Sequence, residues 1–142
     1  MDGIQMLKAV EPRPRNDSEK ITINLGAIDL GQIDLLVQEH FYSNRSDFIR
    51  TAIRNQLQIH AEVVKQTVSR KTMVLGLHNY SRAELEALRA SGQKLQIHVL
   101  GLASVGHDVS AELARATIDS VQVLGVFQAS SAVKSALADR IK

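Results

Sequence analysis

The chain has 142 residues, room for one medium domain or two small ones, and its 17 Lys and Arg against 15 Asp and Glu give a formal charge of only +2. With no cysteine, it excludes disulfides, a thiol nucleophile and thiolate-held zinc or iron–sulfur centres. Aromatic residues make up 4% with no Trp, which argues against a stacking platform for single-stranded nucleic acid and leaves reading of base edges open. No apolar run approaches the ~18 residues of a membrane span, and Met1 to Pro14 lacks the apolar core of a signal peptide, so a cytoplasmic protein without membrane contact is expected.

Residues 1–18 carry the chain's two prolines, Pro12 and Pro14, interleaved with Arg13 and Arg15, which predicts an extended, flexible basic arm. Lys20-Ile21-Thr22-Ile23-Asn24-Leu25 then alternates polar and apolar residues strictly, the period of a strand with one buried and one exposed face, and Gly26 closes it. Leu30, Ile33, Leu36, Val37 and Phe41 recur at helical spacing and predict a first amphipathic helix from about Asp29 to His40. A turn over Phe41-Tyr42-Ser43-Asn44 follows. Ser43 is the expected N-cap of a second helix, with Asp47 in its first turn and Phe48, Ile49, Ala52, Ile53 and Leu57 as its apolar stripe. The pattern continues through Ala61, Val64 and Val68 with no Gly or Pro before Gly76, so this helix is expected to run on to about Arg70 as a connector.

One strand cannot satisfy its own backbone, and no second strand of this kind lies nearby. The economical solution is a second copy of the chain, with two strands paired antiparallel across a two-fold axis and four helices packed beneath the ribbon. The order strand, helix, helix, with KITINL leading and YSNRSDFIRTAIRNQL closing, resembles the ribbon-helix-helix family of bacterial DNA-binding proteins (the Arc, MetJ and CopG group) over about residues 18–58. The resemblance implies a strand pair in the major groove of duplex DNA and a second helix whose N-terminus meets a phosphate. Its matching positions here are Lys20, Thr22 and Asn24 for bases, and Ser43, Asn44 and Arg45 for the backbone.

The side chains suit those tasks on their own chemistry. Lys donates to guanine O6 or N7, Asn can bond an adenine edge as donor and acceptor, and Thr offers a hydroxyl and a methyl. Unpaired amides at a helix N-terminus attract anions, and an Arg can fork onto a phosphate. Lys20, Arg45, Arg50 and Arg54 could converge near the ribbon, with Asp29, Asp34 and Glu39 on the other side.

Beyond Lys71 a repeat appears: Val74-Leu75-Gly76-Leu77, Val99-Leu100-Gly101-Leu102 and Val123-Leu124-Gly125-Val126. Helical segments lie between, one capped by Ser81 and one by Ser110, and a last stretch runs from about Ser131 to Ile141. Nearly all-apolar strands alternating with helices predict parallel strands buried on both faces, arranged as a compact βαβαβα sheet or a leucine-rich-repeat-like stack. Each glycine is expected to end a strand. The expected fold is therefore α+β: arm 1–18, an intertwined ribbon-helix-helix dimer over 19–71, and an α/β module of strand-helix repeats over 72–142.

His60 stands alone on its helix, and His78, His98, His107 and Asp108 lack zinc-ligand spacing, so neither metal nor cofactor is expected. No GxSxG, P-loop or GxGxxG occurs, so no enzyme is expected. The reading is a homodimeric, sequence-specific regulator of transcription, a repressor or autoregulator, whose C-terminal half oligomerises, binds a protein or senses an effector. The rivals are an antitoxin whose C-terminal half binds a toxin, and an assembly protein that uses the N-terminal segment only to dimerise.

Overall fold

The computed structural model of the protein describes residues 18–142, so the expected basic arm lies outside the described residues apart from Ser18. Residues 18–26 run without regular structure, and every one of them is exposed. The strand expected over Lys20 to Leu25 is thus not formed in the single chain, because a ladder needs a second strand and no described residue supplies one.

Helices α1 (Ala27–Gln38), α2 (Arg45–Ile59) and α3 (Ala61–Arg70) follow. The first begins two residues ahead of expectation, and its end is set by backbone geometry. His40 takes a left-handed conformation (φ 67°), which lets its N–H reach Val37 O at 3.0 Å and the Phe41 N–H reach Leu36 O at 3.0 Å. The expected continuous connector is interrupted at His60, which caps α2 and opens α3 in one residue. Helix α3 closes as α1 does, with Thr72 left-handed (φ 50°) and Met73 N–H donating to Val68 O. A β-branched or aromatic side chain is costly there, so His40→Gly and Thr72→Gly should each stabilise the protein by roughly 1 kcal/mol, read from urea unfolding.

The chain then alternates β1 (Val74–Tyr80), α4 (Arg82–Ser91), β2 (Leu95–Val105), α5 (Ala111–Thr117), β3 (Ile118–Gln128) and α6 (Ser131–Ala136). The described residues thus form six helices and a three-stranded parallel sheet in the order β1-β2-β3. Serines cap the last three helices: Ser81 accepts from Glu84 N–H, Ser110 from Leu113 N–H and Ser130 from Val133 N–H. The final helix stops at Ala136, short of the expected Ile141, because Ile141 leaves to bridge Val121 on the outer edge of β3.

Strand alternation places Ile97, Val99, Ala103 and Val105 of β2 and Val121 of β3 on one face, where Leu85, Leu113, Val133 and Leu137 cover them in a single buried cluster. All three helices lie on that face, and the strands stack in sequence order, which is the repeat-like arrangement. The opposite face differs from the expected double burial along its edge strands, where Leu75 is 65% exposed, Leu77 66% and Leu124 53%, while Leu102 of the central strand is buried. The apolar run that signals a buried parallel strand is present without its second cover among the described residues.

The glycines depart from expectation too. They lie inside the strands, paired across the sheet as Gly76–Gly101 and Gly101–Gly125, with φ of +123°, +133° and +123°. A Cβ on Gly101 would stand 2.3 Å from Gly76 O, and one on Gly125 2.1 Å from Gly101 O. At Gly101 and Gly125 the role is close backbone approach, and none of the three ends its strand.

Candidate nucleic-acid interface

The extended segment before α1 presents Lys20, Thr22 and Asn24 alternating with Ile21, Ile23 and Leu25. Ile21 is 76% exposed and Ile23 61%, so the apolar members are exposed along with the polar ones in the single chain. The helices behind them show the same deficit. Ile33 is the one fully buried residue between Ser18 and Thr72, while Ile28, Leu35, Ile53, Leu57 and Ile59 remain exposed. Leu25, Ile33, Leu36 and Phe48 line an open, largely apolar groove of about 320 Å³ between the segment and the two helices.

The N-terminus of α2 is built by a different residue from the one expected. Asn44, not Ser43, is the N-cap: its side-chain oxygen accepts from Asp47 N–H at 2.8 Å. The Asp47 carboxylate in turn accepts from Ser43 N–H at 3.0 Å. This reciprocal pair is a close variant of a capping box, displaced by one residue on the return bond. Tyr42 packs edge-on against Phe48, with ring centroids 5.0 Å apart, and fixes how the turn enters the helix. Ser43, Asn44 and Arg45 are all exposed and adjacent.

Arg45 is not a free cation. Its Nε donates to Asp34 Oδ1 at 2.7 Å and its Nη2 to Asp34 Oδ2 at 2.8 Å, a bidentate clamp from α2 to α1. The expected segregation of Asp34 away from Arg45 is therefore corrected. Eleven residues and a turn separate the two, so helical periodicity carried no signal for the pair. Neither of these bonds uses the third guanidinium nitrogen, Nη1.

Hydrogen bonding from Arg45 holds the Asp34 carboxyl below the usual carboxylate range, opposed by desolvation and reinforced by the guanidinium charge. A lowered folded pKa means that the clamp's contribution is complete above the unfolded pKa and disappears as pH falls through the folded value. Asp34→Asn should accordingly flatten part of the acid limb of stability, measured by urea midpoints across the carboxylate range. Arg45→Ala should flatten the same part.

The histidines do not converge. Among the described residues no three His, Asp or Glu side chains come together as a metal site. His78 stacks on Tyr80 with centroids 4.3 Å apart, and His98 Nε2 is buried without a hydrogen-bond partner. His107 and Asp108 instead line an open cleft of about 670 Å³ at the C-terminal ends of the strands. Asn79, Ser104 and Gln128 stand in register across that rim, with Ser104 Oγ donating to Asn79 Oδ1 at 2.9 Å. The C-terminal rim of a parallel sheet is the usual place for ligands in such layers. The three residues close successive repeats at matching positions, a signal present in the sequence but outside any catalytic motif.

The ribbon-helix-helix transcriptional regulator family matches residues 16–134, most of the chain, and the protein belongs to that family. The match includes the parallel sheet as well as the N-terminal helices, so it extends well past the residues 18–58 that carry the resemblance in sequence. No curated protein and no solved structure matches the chain. No described helix is long and apolar enough to cross a membrane.

Proposed function

We propose that the protein is a homodimeric repressor or autoregulator that reads duplex DNA with a two-stranded ribbon formed by residues 20–25 of two chains. The observation that carries this reading is the pairing of an alternating segment with an N-terminal unit that buries only Ile33. Two such segments, antiparallel about a two-fold axis, would cover Ile21, Ile23 and Leu25 against the groove lined by Leu36 and Phe48, and turn Lys20, Thr22 and Asn24 outward together. On this reading residues 19–71 dimerise and bind DNA, and residues 72–142 form the regulatory or assembly half. No catalytic step is assigned.

Base contacts fall to Lys20, Thr22 and Asn24, and phosphate contacts to Ser43, Asn44 and Arg45. The backbone amide of Ser43 already serves Asp47, which leaves its hydroxyl as the phosphate donor. Arg45 reaches a phosphate with Nη1 while Asp34 holds the rest of the fork, so the clamp aims the guanidinium.

Selection of bound sites from random duplex DNA tests the reading, and inverted or tandem half-sites are the expected result. Asn24→Ala or Thr22→Ala should relax preference at one position at a cost of roughly 1 to 3 kcal/mol, whereas Arg45→Ala should weaken all duplexes alike and lower the salt slope. Unchanged preference in the Asn24 variant would remove the strand from the site. Failure to enrich any duplex would leave the antitoxin and assembly readings.

A further inference from the structure

We propose that the free edge of β1 receives β3 of a second copy, parallel and in the repeat's own register, so that Gly125 of one chain lies against Gly76 of the next. The inference rests on the C-terminal sheet alone and does not depend on the DNA-binding reading.

Within one chain two of the three strand glycines are held to glycine by a neighbouring backbone. At Gly101 the position of a Cβ is taken by Gly76 O, and at Gly125 by Gly101 O. The relation is directional: Gly101 and Gly125 each point this position at the preceding strand and are met by that strand's glycine carbonyl. Gly76 has the same backbone conformation, φ +123°, yet nothing stands within 4 Å of its Cβ position. That position points to the outer edge of β1, where no strand precedes it. At the other end of the sheet, Gly125 has no following glycine to meet. One edge lacks a carbonyl and the other offers one.

The rest of the two edges fits the same register. Continuing the in-chain pairing sets Val123, Leu124, Gly125 and Val126 beside Val74, Leu75, Gly76 and Leu77, as Val99 to Leu102 already stand beside both. On the outer edge of β3, Val121 N–H donates to Arg140 O and its carbonyl accepts from Lys142 N–H, while the Ile118 carbonyl accepts from Arg140 Nη1 at 2.7 Å. In the proposed register Val121 would face Thr72, ahead of the start of β1 at Val74, so the bridge to Ile141 and the incoming strand take different stretches of the edge. Docking would also bring exposed Leu124 beside exposed Leu75, and Val126 beside exposed Leu77, extending the apolar face that each sheet leaves open. Each chain presents one edge of each kind. The contact is head-to-tail and adds chains until the sheet closes on itself or continues as a filament.

The chain has no cysteine, so single thiols report this register directly. Leu75→Cys and Leu124→Cys, introduced separately into full-length chains with different tags and co-expressed, should be joined by a short bismaleimide into a mixed dimer, because paired strands set the two Cα atoms about 5 Å apart. Either variant alone should give little product, and Leu75→Cys with Asp119→Cys should give little as well. Ile23→Ala, which addresses the N-terminal ribbon, should leave the mixed product in place. Preferential joining of two Leu75→Cys chains would show a two-fold β1 contact and overturn the proposal. Equal joining to Asp119→Cys, or no joining of any pair, would overturn it too.

Discussion

Gly101→Ala should destabilise the C-terminal sheet by roughly 3 to 5 kcal/mol, the sum of backbone strain at a non-glycine residue and a forced main-chain shift. The residue has φ +133°, and its new methyl would stand 2.3 Å from a carbonyl oxygen that belongs to backbone and cannot swing aside. Gly125→Ala meets the same obstacle at 2.1 Å. Gly76→Ala is the informative contrast, since in a lone chain it meets only conformational strain, about 1 to 3 kcal/mol. Urea unfolding followed by circular dichroism would rank the three. A cost below about 1 kcal/mol at Gly101 would mean that the strands are not in the register described here.

The repeat was legible because it is written in residue identity: three VLG triplets and two serine caps mark the three strands and the helices between them, although β2 begins four residues before Val99 and β3 five before Val123. What could not be read was the role of the glycines. A glycine in a strand marks either a stop or a close approach, and only the register, with each glycine opposite the last, separates the two. Burial on the far face was also beyond reach, since Leu75 and Leu77 look the same in sequence whether covered or open.

At the candidate interface, the alternation of residues 20–25 and the stripes of α1 and α2 were plain in the sequence. The break at His60 was not, because Ile59, His60 and Ala61 carry no proline or glycine to announce it. The Asn44 cap was within reach: Asn followed three residues later by Asp fits the start of a helix as well as Ser43 does. The clamp between Asp34 and Arg45 was out of reach, being a product of how two helices fold back across a turn.

Ile23→Ala gives the sharpest separation between a chain that stands alone and one that does not. At 61% exposure in the single chain, removal of three methyl or methylene carbons from Ile23 should change stability by no more than about 0.5 kcal/mol, as at other open surface positions. If two copies bury it within a ribbon, the same substitution creates a cavity in a shared core and costs about 2 to 5 kcal/mol. Lys20→Ala, three residues away on the polar face, should leave stability nearly unchanged in both cases while weakening DNA binding. The expected result is the larger loss at Ile23, accompanied by a melting temperature that rises with protein concentration in the wild type, as mass action requires of a dimer. Sedimentation and gel shift on a selected operator should then show the N-terminal dimer and site-specific binding lost together. A wild-type N-terminal unit that stays folded and monomeric, with Ile23→Ala indistinguishable from it, would sink the ribbon and with it the assignment of Lys20, Thr22 and Asn24 to bases.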